Sequence, residues 1–240
     1  MPRRTPPNRV ADIARAACKV FTEKGYRRTL MTDIGRELGL SHAVLYRYVE
    51  SKEALFQLAL LYAIDPHALP DVSVPHPTPA PGEALRPLME WTDDNSTFPL
   101  LQAALSTDRC DDIDREFREV VDELYSVIED HHALLALIER SALDLPELES
   151  MYFGKARPGQ VDQLEHYLER RRQAGLLRPF PDDSTATHFI VETVAWFAWH
   201  RRNDPSPPDI GDGEARTSVL YLLAAAFVPD ELQSPAGADQ

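Results

Sequence analysis

The stretch that decides the fold is residues 31–49, which read MTDIGRELGLSHAVLYRYV. Its apolar residues recur at helical spacing, and Gly39-Leu40-Ser41 interrupts them in the middle. Glycine permits the positive φ of a tight turn, so two short helices, 31–38 and 42–48, are expected to cross steeply there. One small core can then be shared by the inward-facing residues Ile34, Leu38, Leu40, Leu45 and Val49.

The second of these helices presents polar and small side chains outward. The outward set consists of His42, Ala43, Tyr46 and Arg47, with Val44 and Tyr48 at its margins. This is the layout of a helix-turn-helix, whose second helix enters the DNA major groove with its N-terminus first. Arg47 carries the only guanidinium on this helix, which makes it the best candidate for contacting a guanine.

Two further helices flank the quoted stretch. Residues 9–24 carry an apolar face, and Gly25 is expected to end that helix. Thr29 is expected to cap the helix at 31–38, and Ser41 the helix after it. Ser51 precedes a fourth helix, 52–64. The sequence therefore predicts a basic flexible arm at 1–8, a tri-helical domain at 9–50 and a connecting helix at 51–65.

The charge is distributed unevenly along the chain. The 240 residues have a net charge of −14, which by itself argues against nucleic acid. Residues 1–60, however, carry 11 Lys and Arg against 6 Asp and Glu, whereas residues 61–240 carry 14 against 33. A basic N-terminal region on an acidic remainder predicts a polyanionic partner for the N-terminal region alone.

Residues 10–60 resemble the DNA-binding domain of the TetR family of bacterial one-component repressors. The resemblance is carried by AA and FTEKGY within 16–26, TDIGRELGLS at 32–41, LYRYV at 45–49 and SKEAL at 51–55, at the family's spacing without a gap. It implies that the rest of the chain is a helical domain that dimerises and binds a small-molecule effector. One departure is Gly35, which replaces the usual alanine and is expected to loosen its helix by about 1 kcal/mol.

The pattern and the resemblance together place DNA contacts at eight residues. They are Thr32, His42, Ala43, Val44, Tyr46, Arg47, Tyr48 and Lys52. Tyr46 and Lys52 match phosphate-contacting positions, since a hydroxyl or an ammonium can bond phosphate oxygens. Residues 42–44 match the base-reading start of the helix, where small apolar groups can meet a thymine methyl. Packing against the fourth helix is the alternative for Tyr46 and Tyr48.

A proline-rich segment follows the connecting helix. Seven of the 20 prolines lie between residues 65 and 87, a density that excludes one continuous helix. We therefore expect a linker at 66–82, a helical effector-binding and dimerisation domain at 83–229 and a flexible tail at 230–240. The helices expected in that domain are 83–94, 98–107, 111–144 with a break near 130–132, 159–175, 182–202 and 214–227.

The C-terminal helices suggest an interface between two copies of the chain. Residues 182–202 and 214–227 combine aromatic and small apolar residues, and reading a two-fold operator requires a two-fold protein. Ordinary packing within the monomer is the alternative. An apolar effector pocket with a few polar groups is predicted from Trp91, Phe98, Gln102, Phe117, Tyr125, Ile128, His131 and Tyr152, each of which could instead be plain core.

Several function classes find no support in the sequence. No motif with three or four metal ligands and no nucleophile or phosphate-loop pattern is present, so neither a metal, a cofactor nor an enzyme is expected. Two cysteines, the absence of a signal peptide and the lack of a membrane span favour the cytoplasm. The run Arg170-Arg171-Arg172 is expected to lie on a solvated helix face; pairing with the acidic surface and contact with DNA are the alternatives.

These observations predict an all-α protein that acts as a homodimeric transcriptional regulator. Its partners would be a palindromic double-stranded DNA operator and an unidentified small-molecule effector that releases it. A repressor is favoured, although an activator would have the same N-terminal region. The alternative is a small-molecule-binding or enzymatic helical protein whose N-terminal region no longer binds DNA.

Overall fold

The computed structural model describes residues 9–67, 69, 72–94 and 98–233. The expected arm at 1–8 and residues 234–240 of the expected tail lie outside them. The described residues form twelve α-helices and no β-strand. The helices are α1 (Arg9–Lys24), α2 (Met31–Glu37), α3 (His42–Leu45), α4 (Lys52–Ile64), α5 (Arg86–Asp94), α6 (Pro99–Leu105), α7 (Ile113–Asp130), α8 (His132–Ala142), α9 (Pro146–Met151), α10 (Arg157–Gln173), α11 (Asp183–Ala198) and α12 (Asp212–Phe227).

The all-α class is confirmed, and most helices lie where the periodicity places them. The break expected near 130–132 falls at His131, between α7 and α8. Two elements differ from expectation. The helix expected at 42–48 is α-helical over His42–Leu45 only and then continues as a turn. Helix α9 and the π-helical turn Tyr152–Ala156 were not predicted, since their sequence has no sustained apolar period.

Contacts group the chain into two compact units. The first takes the described residues of 1–95 and 133–156, and the second those of 96–132 and 157–240. This grouping differs from a boundary in the expected linker at 66–82. Helix α5 packs against α4, and Leu88 and Leu148 are fully buried in the same core as the N-terminal helices.

The core of the first unit is centred on α1 and α4. Phe56 of α4 meets the rings of Phe21 and Tyr26 edge-on, at 5.1 Å in both cases. Ile34 of α2 and Leu45 of α3 complete this core with no exposed surface. Burial of aromatic and aliphatic surface from four helices therefore stabilises the arrangement of the two short helices.

Two local expectations around α2 are corrected. Thr29 does not cap the helix, because it is buried and its hydroxyl donates back to the Gly25 carbonyl at 2.8 Å. The N-cap is Leu30, whose amide donates to the Asp33 carboxylate at 3.0 Å. Gly35 is buried where a Cβ would lie 2.9 Å from the Leu40 carbonyl oxygen, so glycine permits the close approach of the turn that follows α2.

The second unit contains α6, α7 and α10–α12 around its own core. Arg171 is unusual for a core residue, because it is charged and only 1% exposed. Its guanidinium donates two hydrogen bonds to the Glu116 carboxylate, at 2.8 and 3.1 Å. It also donates to the Ala104 carbonyl at 2.6 Å, at the C-terminal end of α6. The expectation of a solvated face at 170–172 is therefore wrong, because these guanidiniums satisfy carbonyls and carboxylates of neighbouring elements.

Candidate nucleic-acid interface

The reading segment, which we define as residues 42–48, is short, and buried side chains on its inner face anchor it to the core. Its α-helical part has four residues, and Ser41 at its N-cap makes no side-chain hydrogen bond. Leu45 and the adjacent Val49 are fully buried and fix the segment on the core of the first unit. The opposite face is consequently turned to solvent.

The outward residues of the reading segment lie where the sequence places them. His42, Ala43, Tyr46 and Arg47 are exposed. The rings of His42 and Tyr46 are in edge contact, with centroids 4.6 Å apart. Thr32 is exposed as well, in the first turn of α2. These five side chains offer two hydroxyls, an imidazole and a guanidinium, groups that bond phosphates and base edges.

Two predicted contact residues are only half-buried at the margin of this face. Val44 is intermediate in exposure. Tyr48 packs against the core of the first unit. Its carbonyl accepts a hydrogen bond from the amide of His76 at 2.7 Å. Tyr48 thus serves the packing of the reading segment through both its ring and its backbone.

Lys52 is engaged within the protein. Its ammonium donates to the Arg27 carbonyl at 3.2 Å and lies 4.6 Å from the centre of the Tyr26 ring. Partial burial lowers the pKa of Lys52 below its ordinary value. The sequence offered no signal for this cation–π contact. A phosphate contact by Lys52 stays a prediction, and it would share the ammonium with these partners.

Ion pairs neutralise much of the positive charge of the N-terminal region. They join Lys19 to Glu37 at 2.8 Å, and Lys24 and Arg36 to Asp33 at 2.9 and 3.3 Å. Arg47 has no ion pair among the described residues and is exposed. The reading segment therefore carries a guanidinium whose charge is available to an external anion.

The eight predicted effector residues are divided between the two units. Trp91 and Tyr152 pack at the edge of the first core. In the second unit, Phe98, Phe117 and Tyr125 are buried. The remaining three, Gln102, Ile128 and His131, are exposed or half-buried residues of the second unit.

A surface pocket of about 280 Å³ lies in the second unit, between α6 and α7. Four of its eight lining residues are charged and four are apolar, and none of them is among the eight predicted effector residues. It is formed by Leu100, Ala103, Ala104, Asp112, Arg115, Glu116, Glu119 and Val120. The sequence does not predict this pocket. Hydrophobic periodicity shows which face of each helix is polar, but not which polar faces lie opposite each other in the fold.

The described part of the chain contains neither a cluster of metal ligands nor a membrane-spanning helix. No group of three or more His, Cys, Asp or Glu residues there could hold a metal ion. None of the helices there combines the length and the apolar character that crossing a membrane requires.

Comparison with known proteins places the N-terminal region in a family. Residues 13–59 match the sequence model of the bacterial regulatory proteins of the tetR family. This stretch covers α2, α3 and the reading segment, together with most of α1 and the first half of α4. No curated protein matches the chain significantly in sequence.

Solved structures share the fold along nearly the whole chain. The ketosteroid transcriptional regulator KstR2 of Mycobacterium tuberculosis is 17% identical, with 94% of this chain and 98% of that chain covered and a TM-score of 0.55. AibR in complex with isovaleryl coenzyme A and operator DNA is 17% identical, with 91% and 99% covered and a TM-score of 0.54. A tetR-family regulatory protein from Rhodococcus RHA1 is 19% identical, with 94% and 100% covered and a TM-score of 0.51. Residues 13–59 are thus similar to the tetR family of bacterial regulatory proteins, and the chain as a whole shares the fold of these three regulators.

Proposed function

We propose that the protein is a homodimeric transcriptional regulator that binds an operator through residues 42–48 and is released by a small-molecule effector. The observation that carries this proposal is the exposed Arg47, without an ion pair in the described structure, beside exposed Tyr46 and His42 on a buried support. An exposed guanidinium that has no ion pair can donate hydrogen bonds to the major-groove edge of guanine, and a tyrosine hydroxyl can donate one to a phosphate.

The proposal assigns roles to the eight residues according to their exposure. His42, Ala43 and Arg47 would contact bases, and Thr32 and Tyr46 would contact phosphates or base edges. Val44 would reach a thymine methyl from the margin of the segment. Tyr48 and Lys52 would contact the DNA backbone. Tyr48 would also keep its packing against the core, and Lys52 its cation–π contact with Tyr26. A repressor is favoured over an activator because residues 10–60 resemble the DNA-binding domain of a family of repressors.

A dimer interface on α11 and α12 is part of the proposal. Both helices carry large apolar side chains that their own unit leaves uncovered: Phe189 (57% exposed), Trp196 (37%), Tyr221 (53%) and Leu222 (62%). Val219, Leu223 and Phe227 face inward instead. One apolar stripe on each helix is thus free for a second copy, as self-complementary two-fold interfaces require.

The effector is proposed to bind in the C-terminal part of the chain. Its candidate contacts in the second unit are Phe98, Gln102, Phe117, Tyr125, Ile128 and His131. Trp91 and Tyr152 belong to the first unit and are separate candidates. Burial raises the pKa of Tyr125, so this phenol stays neutral and could donate to a carbonyl or carboxylate of a ligand. Because AibR, of the same fold, holds isovaleryl coenzyme A, acyl-coenzyme A thioesters are the first class to screen.

The test is a fluorescence-anisotropy titration of the full chain with DNA from the upstream region of its own gene. Two salt concentrations and an excess of unrelated competitor DNA should be used. We expect saturable binding that survives the competitor and weakens steeply with salt, since each phosphate contact releases counterions. Equal and weak binding to all DNA, also after selection from genomic fragments, would favour the alternative of a small-molecule-binding or enzymatic helical protein.

A further inference from the structure

Part of the connector between α4 and α5 is bound to the end of the reading segment. The amide of His76 donates to the Tyr48 carbonyl at 2.7 Å, and the amide of Glu50 donates to the His76 carbonyl at 3.0 Å. Val49 and His76 thereby form a parallel β-bridge. The amide of Thr78 adds a hydrogen bond to the Glu50 carboxylate at 3.0 Å. We call residues 76–78 the strap.

The side chain of His76 ties the strap to α4. Gln57 of α4 is 8% exposed, and its Nε2 donates to the Glu83 carbonyl at 3.0 Å. A carbonyl only accepts, so this bond fixes the orientation of the Gln57 amide and leaves its Oε1 facing His76 Nε2, also at 3.0 Å. His76 must therefore carry its proton on Nε2.

The other ring nitrogen of His76 has nothing to donate to. Nδ1 is buried and has no hydrogen-bond partner among the described residues. In the neutral ring it holds a lone pair, whereas protonation would place an unsatisfied N–H donor there, which is costly. Burial lowers the pKa of His76, and the Glu50 carboxylate opposes this shift. From α4 the ring meets the neutral Gln57, and the Glu83 carboxylate is paired with Arg86 at 3.2 Å.

The reading segment depends on such outside contacts. A four-residue helix has no stability of its own, since helices shorter than about 12 residues are marginal in water. The amides of residues 46–49 bond within the local turn, while the bonds to His76 connect residues 48 and 50 to a distant part of the chain. The strap therefore fixes the direction in which the reading segment ends.

We propose that His76 is a positioning residue for DNA reading: its neutral ring fastens the end of the reading segment to α4, and its protonation releases the strap and weakens DNA binding. This inference rests on the proposed DNA-binding function. The contribution of the strap is complete above the ordinary histidine pKa of about 6.5 and is lost as the pH falls below it, because the bound state disfavours the proton.

The test compares each variant with the wild type at the same two pH values, so that pH effects common to all the proteins cancel. His76→Gln keeps a hydrogen-bond donor near the position of Nε2 but cannot be protonated. Gln57→Leu removes the hydrogen bonds to His76 and to the Glu83 carbonyl, while the new side chain has a similar volume. His67→Gln is the matched control, since His67 is an exposed histidine of the same connector. DNA affinity of the full chain is measured by anisotropy at about pH 8 and about pH 5, because the pKa of His76 lies below the ordinary histidine value of about 6.5. Amide hydrogen exchange of residues 46–50 is measured without DNA at both pH values.

Four outcomes support the proposal together. Gln57→Leu binds DNA about five- to tenfold more weakly at the higher pH, as expected for the loss of buried hydrogen bonds worth about 1 kcal/mol. Its residues 46–50 exchange faster than those of the wild type. On acidification, the affinity of the wild type and of His67→Gln falls by about threefold or more relative to His76→Gln. At the lower pH, residues 46–50 also exchange faster in the wild type than in His76→Gln.

Parallel pH profiles of the wild type and His76→Gln would overturn the proposal, as would unchanged exchange in Gln57→Leu. If the wild type binds no operator at either pH, the proposed function fails, while the exchange measurement still decides whether the strap opens on protonation.

Discussion

The backbone amide of Arg27 donates to the Asp144 carboxylate at 2.8 Å, across 117 residues of sequence. On the other side of the same turn, Lys52 donates to the Arg27 carbonyl at 3.2 Å. Both backbone polar groups of Arg27 are therefore satisfied by side chains from other parts of the first unit. These contacts fix the turn between α1 and α2 and, with it, the start of the helix-turn-helix.

The same turn predicts a large cost for Gly25→Ala. Gly25 has φ +82°, and a Cβ there would lie 3.0 Å from Oδ2 of Asp144 and 3.3 Å from the Arg140 carbonyl oxygen. Gly39→Ala is the matched control, because Gly39 has φ +63° with nothing within 4 Å of its Cβ position. Both variants bear the left-handed backbone cost of about 1 kcal/mol. We expect Gly25→Ala to lower the free energy of unfolding by a further ~1–2 kcal/mol.

Urea denaturation followed by circular dichroism measures this difference. An equal loss in both variants would mean that the Asp144 carboxylate moves aside without cost, and that the turn is less tightly held than its geometry indicates.

Helix positions in this chain are predictable from the sequence because they depend on local periodicity. α1 and α4 were expected at their observed bounds, and the turn after α2 was expected at Gly39. The exposure of His42, Ala43, Tyr46 and Arg47 follows from the same periodicity, since Leu45 and Val49 must face inward. Because the apolar residues of the reading segment must face the core, the residues on its opposite side must face solvent.

Contacts between distant segments were not predictable. Nothing in the composition of the connector pairs His76 with residues 48–50, since a proline-rich sequence specifies only that no helix forms. The charged run at 170–172 has the pattern of a solvated face, yet Arg171 is buried against Glu116. Whether a charge is buried depends on a partner elsewhere in the fold, and periodicity carries no information about that partner.

The buried pair of Arg171 and Glu116 predicts non-additive effects on stability. Glu116→Leu leaves a buried guanidinium without its carboxylate and should lower the free energy of unfolding by ~3–5 kcal/mol. Arg171→Met should cost less, because the Glu116 side chain is 20% exposed and its unpaired carboxylate can be hydrated. The double variant should recover much of the loss, because it leaves no unpaired charge in the interior.

Denaturant titrations of the four proteins give the coupling energy of this pair. The exposed pair of Arg109 and Asp111, 2.9 Å apart, provides the control, and its double-mutant cycle should give less than about 1 kcal/mol. Simple additivity at Arg171 and Glu116 would show that water reaches the pair and screens it.

Both cysteines should react slowly with thiol reagents in the folded protein. Burial raises the pKa of Cys18 and of Cys110 to about 11, so at pH 8 the reactive thiolate is scarce. Since the fold favours the neutral thiols, their contribution to stability is present below the ordinary thiol pKa and is lost as the pH rises toward 11. Stability measured in urea should accordingly decline above about pH 9.

Ellman's reagent and a Cys110→Ser variant separate the two thiols. Cys18 then reports on opening of the first unit, and its labelling rate should rise by orders of magnitude in denaturing urea. Fast labelling of Cys18 in native buffer would mean that α1 is exposed to solvent far more often than its buried face indicates.

The charge of Arg47 predicts a site-specific loss of DNA affinity. Arg47→Ala should weaken operator binding by about tenfold to more than a hundredfold, the range for one side chain bonded to a base edge. Tyr46→Ala should weaken all DNA sequences more evenly, as expected for a phosphate contact. Arg109→Ala removes an exposed guanidinium of the second unit and should leave the affinity within about twofold. Gel shifts that stay unchanged for both Arg47→Ala and Tyr46→Ala would exclude residues 42–48 as the DNA-reading element.

The uncovered faces of α11 and α12 predict that one substitution can separate the dimer. Leu222 is 62% exposed beside Tyr221, and an arginine there would be buried without a partner if a second copy covers this face. We expect Leu222→Arg to raise the dimer dissociation constant by about a hundredfold or more while the helix content is unchanged. Leu143→Arg is the control, since Leu143 is 79% exposed and belongs to the first unit. Light scattering on a sizing column distinguishes the states, and a Leu222→Arg protein that keeps the mass of the dimer would place the interface on another face of the molecule. Operator binding should fall with the dimer, because a single copy contacts only one half-site.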